Sequence, residues 1–395
     1  MMCKINLIFM GGFTYPTGMA GTKRIQNAIK ALNEYSKDIK IRVIIQRQSS
    51  EENVLSGVHE GTYYETIMGD LFRTKMFAML PILYFKTIVA LKNAFLTDHK
   101  NIIYFYGPIF YDSILPLSYA KRIGYKIVFD VNEDYDLGKE LQESFYDNLR
   151  LKLTIQLSAF IIKLSSGIVA ISSHLEKKYK TSTDGKIPIH YMPISVDMDY
   201  FQQNHIKDTS IISLCYAGTF GNKDGLPVLL DAFDTIAGRQ KNIRLLLTGR
   251  GGKGAMKDFL TRLETSPYKE RIIYKGYLTE KEYYSVLNTV DIPCMTRIDT
   301  AYSHAGFPFK LGEFLATGKP VIASRVSDVE RYLTDKHNAM LVKPGSKVEI
   351  CNALDFLIDN PKYAEDIGTR GREVAKSYFD YKKQGKPLFN FLLSI

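Results

Sequence analysis

Short apolar runs recur along this chain with helix-compatible segments between them, and that alternation constrains the fold more than any other feature. The runs are 4–10, 41–45, 102–105, 126–130 and 167–171 in the first half. In the second half they are 211–216, 243–248, 271–274, 291–294, 320–323 and 339–342. They are continuous rather than alternating, as parallel strands buried on both faces should be. Strand–helix alternation of this kind builds doubly wound α/β sheets. The pattern lapses around 196–210, where DMDYFQQNHIKDTS is polar and irregular, and a fresh strand follows. A length of 395 residues suits two domains, which we place at 1–205 and 206–395. The end of the chain, KSYFDYKKQGKPLFNFLLSI, reads as a terminal helix over 375–395 that can pack back on the N-terminal domain.

Bulk properties exclude more than they select. With 45% hydrophobic and 24% charged residues the chain is globular, not disordered. A net charge of +10 favours anionic partners such as nucleotide phosphates or a membrane surface, without choosing between them. No nucleic-acid-binding motif is recognised, so nucleic acid is not an expected partner. Cys3, Cys215, Cys294 and Cys351 form no CxxC pair, and the histidines are scattered. Neither a disulfide framework nor a metal site is expected, and a cytoplasmic setting fits. MMCKINLIFMGG lacks a cleavage site and reads as a first strand, not a signal peptide. The longest apolar run, Met76 to Phe85, falls short of the roughly 20 residues a membrane span needs.

The strongest chemical signal is FPFKLGEFLATGKPVIAS, residues 307–324. Leu311, Phe314 and Leu315 give a helix an apolar face, and Gly318 suits its C-cap. The loop Pro308–Lys310 then enters a helix whose N-terminal N–H groups suit a diphosphate, with Lys310 adding a full charge. Glu313, one turn in, is placed to accept ribose hydroxyls. Equally, Glu313 could cap the first turn and Lys310 could be solvated.

This segment resembles the donor-site motif of GT-B glycosyltransferases of the GT4 type (glycosyl transferase group 1), with its P-x-K-x-x-E run. Other stretches fit in the same order: YPTGMAGTKR (15–24), SGIVAISSHLEKKY (166–179), IHYMPISVDMDYF (189–201), YAGTFGNKDGLPVLLDAF (216–233) and RIIYKGYLTEKEYYSVLNTVDI (271–292). The resemblance implies a GT-B fold: two Rossmann-like doubly wound domains facing across a cleft, with a C-terminal helix. It implies transfer of a sugar from a nucleotide-sugar donor to a glycan or lipid-linked acceptor, with retention and without a metal or cofactor. It further implies that Glu313 binds the donor ribose. Lys310 with the adjacent backbone of Pro308, Phe309 and Leu311 would bind the diphosphate. Gly18 would let the backbone approach the donor, and Tyr274, Gly276 and Tyr277 would line the base pocket.

The departures bear on mechanism. The first of two acids common in the family would fall at Ala305, beside His304. The usual phosphate-loop Arg is replaced by Thr219, and Lys223 is followed by Asp224 where a Lys is common. Phosphate charge would then come from Lys310, Lys223 or Arg250. A His often ends the strand matching 126–130; here Asn132 holds roughly that place, able to hydrogen-bond a sugar hydroxyl but not to act as a base. We therefore take Lys310 and Asn132 as the candidate catalytic residues. A nucleotide-sugar 2-epimerase of the same fold and a non-catalytic partner subunit are the alternatives.

Two motifs compete with this reading. Gly249–Gly254 matches GxGxxG after a strand, but no acid ends the next strand, where Lys275 stands, so a dinucleotide is not expected. Asp197-Met198-Asp199 is a DxD, read here as a turn rather than a metal site. Finally, 71–96 interleaves Arg73, Lys75, Lys86 and Lys92 with large apolar residues, with Pro81 expected to interrupt one long helix. Such a segment suits peripheral contact with an anionic membrane at the inner face, or a core-facing helix with solvated lysines.

Overall fold

The computed structural model describes residues 4–48, 54–69, 76–137, 152, 155–157, 160, 163–201, 211–221 and 223–395. The chain divides into two compact units, Met1–Pro193 with Tyr381–Ile395, and Ile194–Asp380. The change of unit thus falls at 193/194, earlier than the 205/206 boundary read from the sequence. The terminal segment is also split. Ala375–Phe379 forms a π turn continuing the preceding helix and stays with the second unit. Only the residues from Tyr381 onward join the first.

The first unit carries an eight-stranded sheet ordered β3-β4-β2-β1-β5-β6-β7-β8. Its strands are β1 (Ile5–Gly11), β2 (Ile39–Arg47), β3 (Ser56–His59), β4 (Thr62–Met68), β5 (Lys100–Tyr106), β6 (Lys126–Val131), β7 (Gly167–Ala170) and β8 (Ile189–Tyr191). All neighbours are parallel except β3 and β4. Helix α1 (Ala20–Tyr35) buries Ile25, Ile29 and Leu32, spaced to lie on one face. Next come α2 (Met76–Ala94), α3 (Tyr111–Arg122) and α4 (Ser173–Ser182). Helix α2 runs through Pro81 instead of breaking there; the ring forfeits one i→i−4 bond near the N-terminal end, and the helix continues. Arg73 and Lys75 lie outside the described residues.

The second unit carries a parallel six-stranded sheet ordered β11-β10-β9-β12-β13-β14. Strands β9 (Ile212–Thr219), β10 (Ile243–Arg250), β11 (Ile272–Tyr274), β12 (Ile292–Met295), β13 (Ile322–Ser324) and β14 (Met340–Val342) alternate with helices. Those helices are α5 (Leu226–Ala237), α6 (Lys253–Glu264), α7 (Glu280–Thr289), α8 (Ala301–Ala305), α9 (Lys310–Ala316), α10 (Val329–Tyr332), α11 (Lys347–Asp359) and α12 (Pro361–Val374). Leu214, Tyr216, Leu245 and Leu247 of the central strands pack on Leu229, Phe233 and Ile236 of α5. The chain returns to the first unit as α13 (Tyr381–Ser394), which lies along α1 with Tyr381 donating to Glu34 at 2.6 Å. Leu388 and Leu392 enter the first unit's core.

Each sheet has one point where the strand order reverses, between β1 and β5 in the first unit and between β9 and β12 in the second. The crevice beyond the carboxyl ends of the strands at such a point is where doubly wound folds bind ligands.

Candidate active site

In the second unit, several charged groups converge at this reversal point. Lys310, the first residue of α9, reaches back under the end of β9. Its Nζ lies 4.3 Å from the centroid of the Tyr216 ring and is buried without a hydrogen-bond partner. The nearest acid oxygen, Asp224 Oδ1, is 3.9 Å away. Burial lowers the Lys310 ammonium to about 8, against the opposing pull of Asp224 and with help from Arg297 and Lys223. This packing requires a glycine at 218: φ is +145°, and a Cβ there would sit 2.7 Å from Lys310 Nζ.

Asp224 is buried and accepts from Thr219 Oγ1 at 2.6 Å. Burial alone would raise its carboxyl, but Lys310 and Arg297 outweigh that and hold it below the usual range. Arg297 follows the end of β12, is 8% exposed, and its Nε has no hydrogen-bond partner. Sequence reasoning missed Arg297 and gave Asp224 no role. The available signal was position, since Arg297 stands just past a strand's carboxyl end.

Glu313 sits in the first turn of α9, where it accepts from Tyr283 at 2.6 Å and Tyr284 at 3.3 Å, both on α7. The tyrosines fix its carboxylate; a simple capping role does not describe it. Helix α7 is itself anchored by a capping box between Thr279 and Glu282. Lys223 Nζ lies over the Tyr302 ring at 4.5 Å, and the Arg250 guanidinium lies over Tyr277 at the same distance. Tyr277 is 49% exposed.

Other expected donor contacts have different duties. The Leu311 side chain is fully buried and its amide donates to the Pro308 carbonyl at 3.1 Å, so neither is offered to a ligand. Pro308 is buried, and Phe309 already has helical backbone angles, so the pair forms the entry turn of α9. Tyr274 packs its ring on Phe220 and Phe259 and donates to the Gly249 carbonyl at 2.9 Å. The Gly276 carbonyl accepts from Gly249 N–H at 2.9 Å and Thr248 Oγ1 at 2.8 Å. These contacts tie β10 to the loop after β11 and occupy both groups internally. His304 donates from Nε2 to Asp299 at 2.9 Å, while its Nδ1 accepts the Ser327 N–H at 3.4 Å. Both ring nitrogens are committed to holding the loop. In the DxD, Asp197 accepts from the Asp199 N–H at 3.1 Å and caps a short 3₁₀ turn.

The first unit, taken by itself, gathers polar groups beyond β1, β5 and β6. Gly18 lies in the loop before α1, where a Cβ would fall 2.1 Å from Thr22 Oγ1 and 2.3 Å from Thr14 Oγ1. Asn132 follows β6; its amide hydrogen-bonds Tyr106, and its Oδ1 is buried without a partner. A buried unpaired amide oxygen is placed to accept a hydroxyl. The acids that follow are structural in part. Asp134 pairs with Lys178 at 2.5 Å and His174 at 2.8 Å, and Asp136 pairs with Lys178 at 2.6 Å.

Two doubly wound sheets, the second wholly parallel and the first parallel but for its β3–β4 edge, are the architecture of the GT-B fold. Residues 197–374 match the model of the glycosyl transferases group 1 family. An uncharacterised glycosyltransferase of Methanocaldococcus jannaschii is 22% identical over 61% of this chain and 60% of its own length. The match thus spans less than two thirds of that relative. Among solved structures, sucrose-phosphate synthase of Thermosynechococcus elongatus has a TM-score of 0.77, 15% identity and coverage of 98% of this chain and 99% of its own. HepE of Anabaena, in complex with UDP and glucose, has a TM-score of 0.72, 15% identity and coverage of 98% and 100%.

Proposed function

We propose that the chain is a glycosyltransferase that moves a sugar from a nucleoside-diphosphate donor to a glycan or lipid-linked acceptor of surface polysaccharide synthesis. The observation that carries this reading is the Lys310 ammonium, buried and without a hydrogen-bond partner in the unit that matches the family. A buried ammonium that makes no hydrogen bond, at a sheet's reversal point, is prepared for an anion. In the proposed step, the bond between the sugar's anomeric carbon and the diphosphate oxygen breaks. The acceptor oxygen bonds the same face of that carbon, giving retention, and its proton passes to the departing phosphate. Lys310 meets the charge that develops on the leaving group, so no metal is required. Glu313, fixed by its two tyrosines, takes the donor ribose, and Asn132 takes a sugar hydroxyl.

We place the enzyme at an anionic membrane surface. On α2, Ile82, Phe85 and Val89 are exposed at helical spacing beside Lys86 and Lys92, and the helix carries no acid. No helix among the described residues is long and apolar enough to cross a membrane.

The test is a panel of UDP-, GDP- and ADP-sugars screened for thermal stabilisation, then for release of nucleoside diphosphate in excess EDTA. Turnover of one donor is expected. Absence of binding across the panel would remove the reading, and rescue only by added Mg²⁺ or Mn²⁺ would remove metal independence.

A further inference from the structure

We propose that Arg297 is the second cation of the donor's diphosphate site, and that Asp224 is the positioning carboxylate that keeps Arg297 and Lys310 apart and open. The proposal rests on the donor reading above and adds to it.

The argument begins with the Arg297 backbone, which cannot drift. Its N–H donates to Ser324 Oγ at 2.9 Å, and its carbonyl accepts the Gly345 N–H at 2.9 Å. The side chain is therefore projected from a fixed point just past β12. Its Nε is 3.9 Å from Asp224 Oδ1, the same separation as Lys310 Nζ from that oxygen. Neither is a hydrogen bond, whose N···O distance would be about 2.7–3.2 Å. The carboxylate does not close on either cation because Thr219 Oγ1 holds its other oxygen at 2.6 Å.

One carboxylate is thus shared between two buried cations and hydrogen-bonds neither. Among the described residues, the other groups that act on Lys310 are Lys223, the Cys215 thiol and the Tyr216 ring, none of which supplies a second negative charge at neutral pH. Burial pushes the Cys215 thiol up to about 12, so it stays neutral. Counting the two buried cations, Lys310 and Arg297, against Asp224 leaves one positive charge in excess. Buried charge without a counter-ion is costly, and a planar guanidinium offers phosphate a two-pronged match. A diphosphate offers a separate phosphoryl group to each of the two cations, where a monophosphate offers a single group.

Asp224 then has two opposed effects. It repels the incoming diphosphate, yet it supports the charged form of Lys310, whose ammonium burial has already weakened. Below pH 8 the repulsion is what an Asp224→Asn variant loses. Above pH 8 the support is what it loses.

The experiment is calorimetric titration of the full chain with UDP, GDP and ADP, each against its monophosphate. Arg297→Gln should weaken diphosphate binding by about tenfold or more, the worth of a hydrogen bond to a charged group, and leave monophosphate binding within about twofold. Arg297→Lys should recover part of the loss. Asp224→Asn should bind the diphosphate at least as well as the parent near pH 6 and less well near pH 9. An Arg297→Gln variant that binds the diphosphate like the parent overturns the clamp. So does one that loses both ligands equally with a lowered unfolding midpoint, which would mark Arg297 as structural. Asp224→Asn curves parallel to the parent's across pH overturn the positioning role. If the parent chain binds no nucleoside diphosphate at all, the donor reading itself has failed, an outcome distinct from the others.

Discussion

Arg24 and Arg297 are both nearly buried, both near the reversal point of a doubly wound sheet, and they are treated in opposite ways. In the first unit the Arg24 guanidinium is saturated. It donates to both oxygens of Asp130, at 2.6 and 3.0 Å, and to the carbonyls of Pro193 and Met192, at 2.8 and 3.0 Å. Asp130 also accepts from Tyr104 at 2.8 Å. In the second unit the Arg297 Nε has no partner, and its nearest carboxylate is held off at 3.9 Å. A closed network locks the chain where it lies; an open one holds donors ready for something that arrives. Burial of a charge is therefore no guide to its role until its hydrogen bonds are followed.

The largest effect expected from this contrast is on stability. Arg24→Ala strands Asp130 in the core and should cost about 3–5 kcal/mol, read as a shift in the urea unfolding of the whole chain. Arg297→Gln should shift it far less. Equal shifts would erase the distinction between the two sites.

Lys310→Ala should lower kcat by about 10²-fold or more with the fold intact, because charge on the leaving group appears only as the bond breaks. The donor KM should move less, Lys310→Arg should recover only part, and Lys223→Ala and Arg250→Ala should each cost less. Near-normal kcat in Lys310→Ala would assign the phosphate site to another loop.

The pH profile comes next in size. Lys310 is charged below its lowered pKa of about 8 and neutral above it. On the proposed reading the charged form is the active one, so kcat/KM should fall toward tenfold per pH unit above pH 8. A flat profile to pH 9.5 would contradict an exposed-to-ligand, desolvated ammonium. Stability should move the other way: the unfolded chain holds this proton up to the ordinary lysine range, so this group adds stability as pH rises through 8.

Tyr283→Phe should loosen Glu313 and weaken donor binding by about 0.5–1.5 kcal/mol, measured by calorimetry. Unchanged affinity would show that Glu313 needs no holding. The smallest effect is on the α2 face. Reversing Lys86 and Lys92 should reduce binding to anionic vesicles by about 1 kcal/mol per charge, and high salt should do the same. Equal partition onto neutral and anionic vesicles would refute the electrostatic part.

What was legible in the sequence follows from how each element is stabilised. The inner strands are covered on both faces, so they appear as unbroken apolar runs, and those runs were found. The β3–β4 hairpin was not, because its outer edge faces solvent: Val58 and Tyr63 are exposed while Tyr64 is buried. Three-residue β8 is too short to show any period. Lys310 and Glu313 were legible through a motif that fixes their spacing on one helix. Arg297 is a lone cation in TRIDT, with nothing beside it to mark it; its meaning depends on Asp224 and Lys310, which approach it only in the folded unit. Tyr274 and Leu311 were assigned to the ligand because motif position records proximity to a site, not which way a side chain turns. The unit boundary at Pro193 escaped notice because the irregular stretch that follows it is longer and more polar, and drew the eye.

The return of α13 to the first unit has a consequence for biosynthesis. Residues 194–380 form a body whose every part emerges from the ribosome before the first unit is whole. Leu388 and Leu392, which the first unit's core requires, are translated after all of them. Nascent domains generally complete in order from the N-terminus. Here that order is inverted: residues 194–380 can finish folding first, while the segment up to Pro193 waits, with the α1 face that will receive α13 uncovered, for the helix that begins at Tyr381.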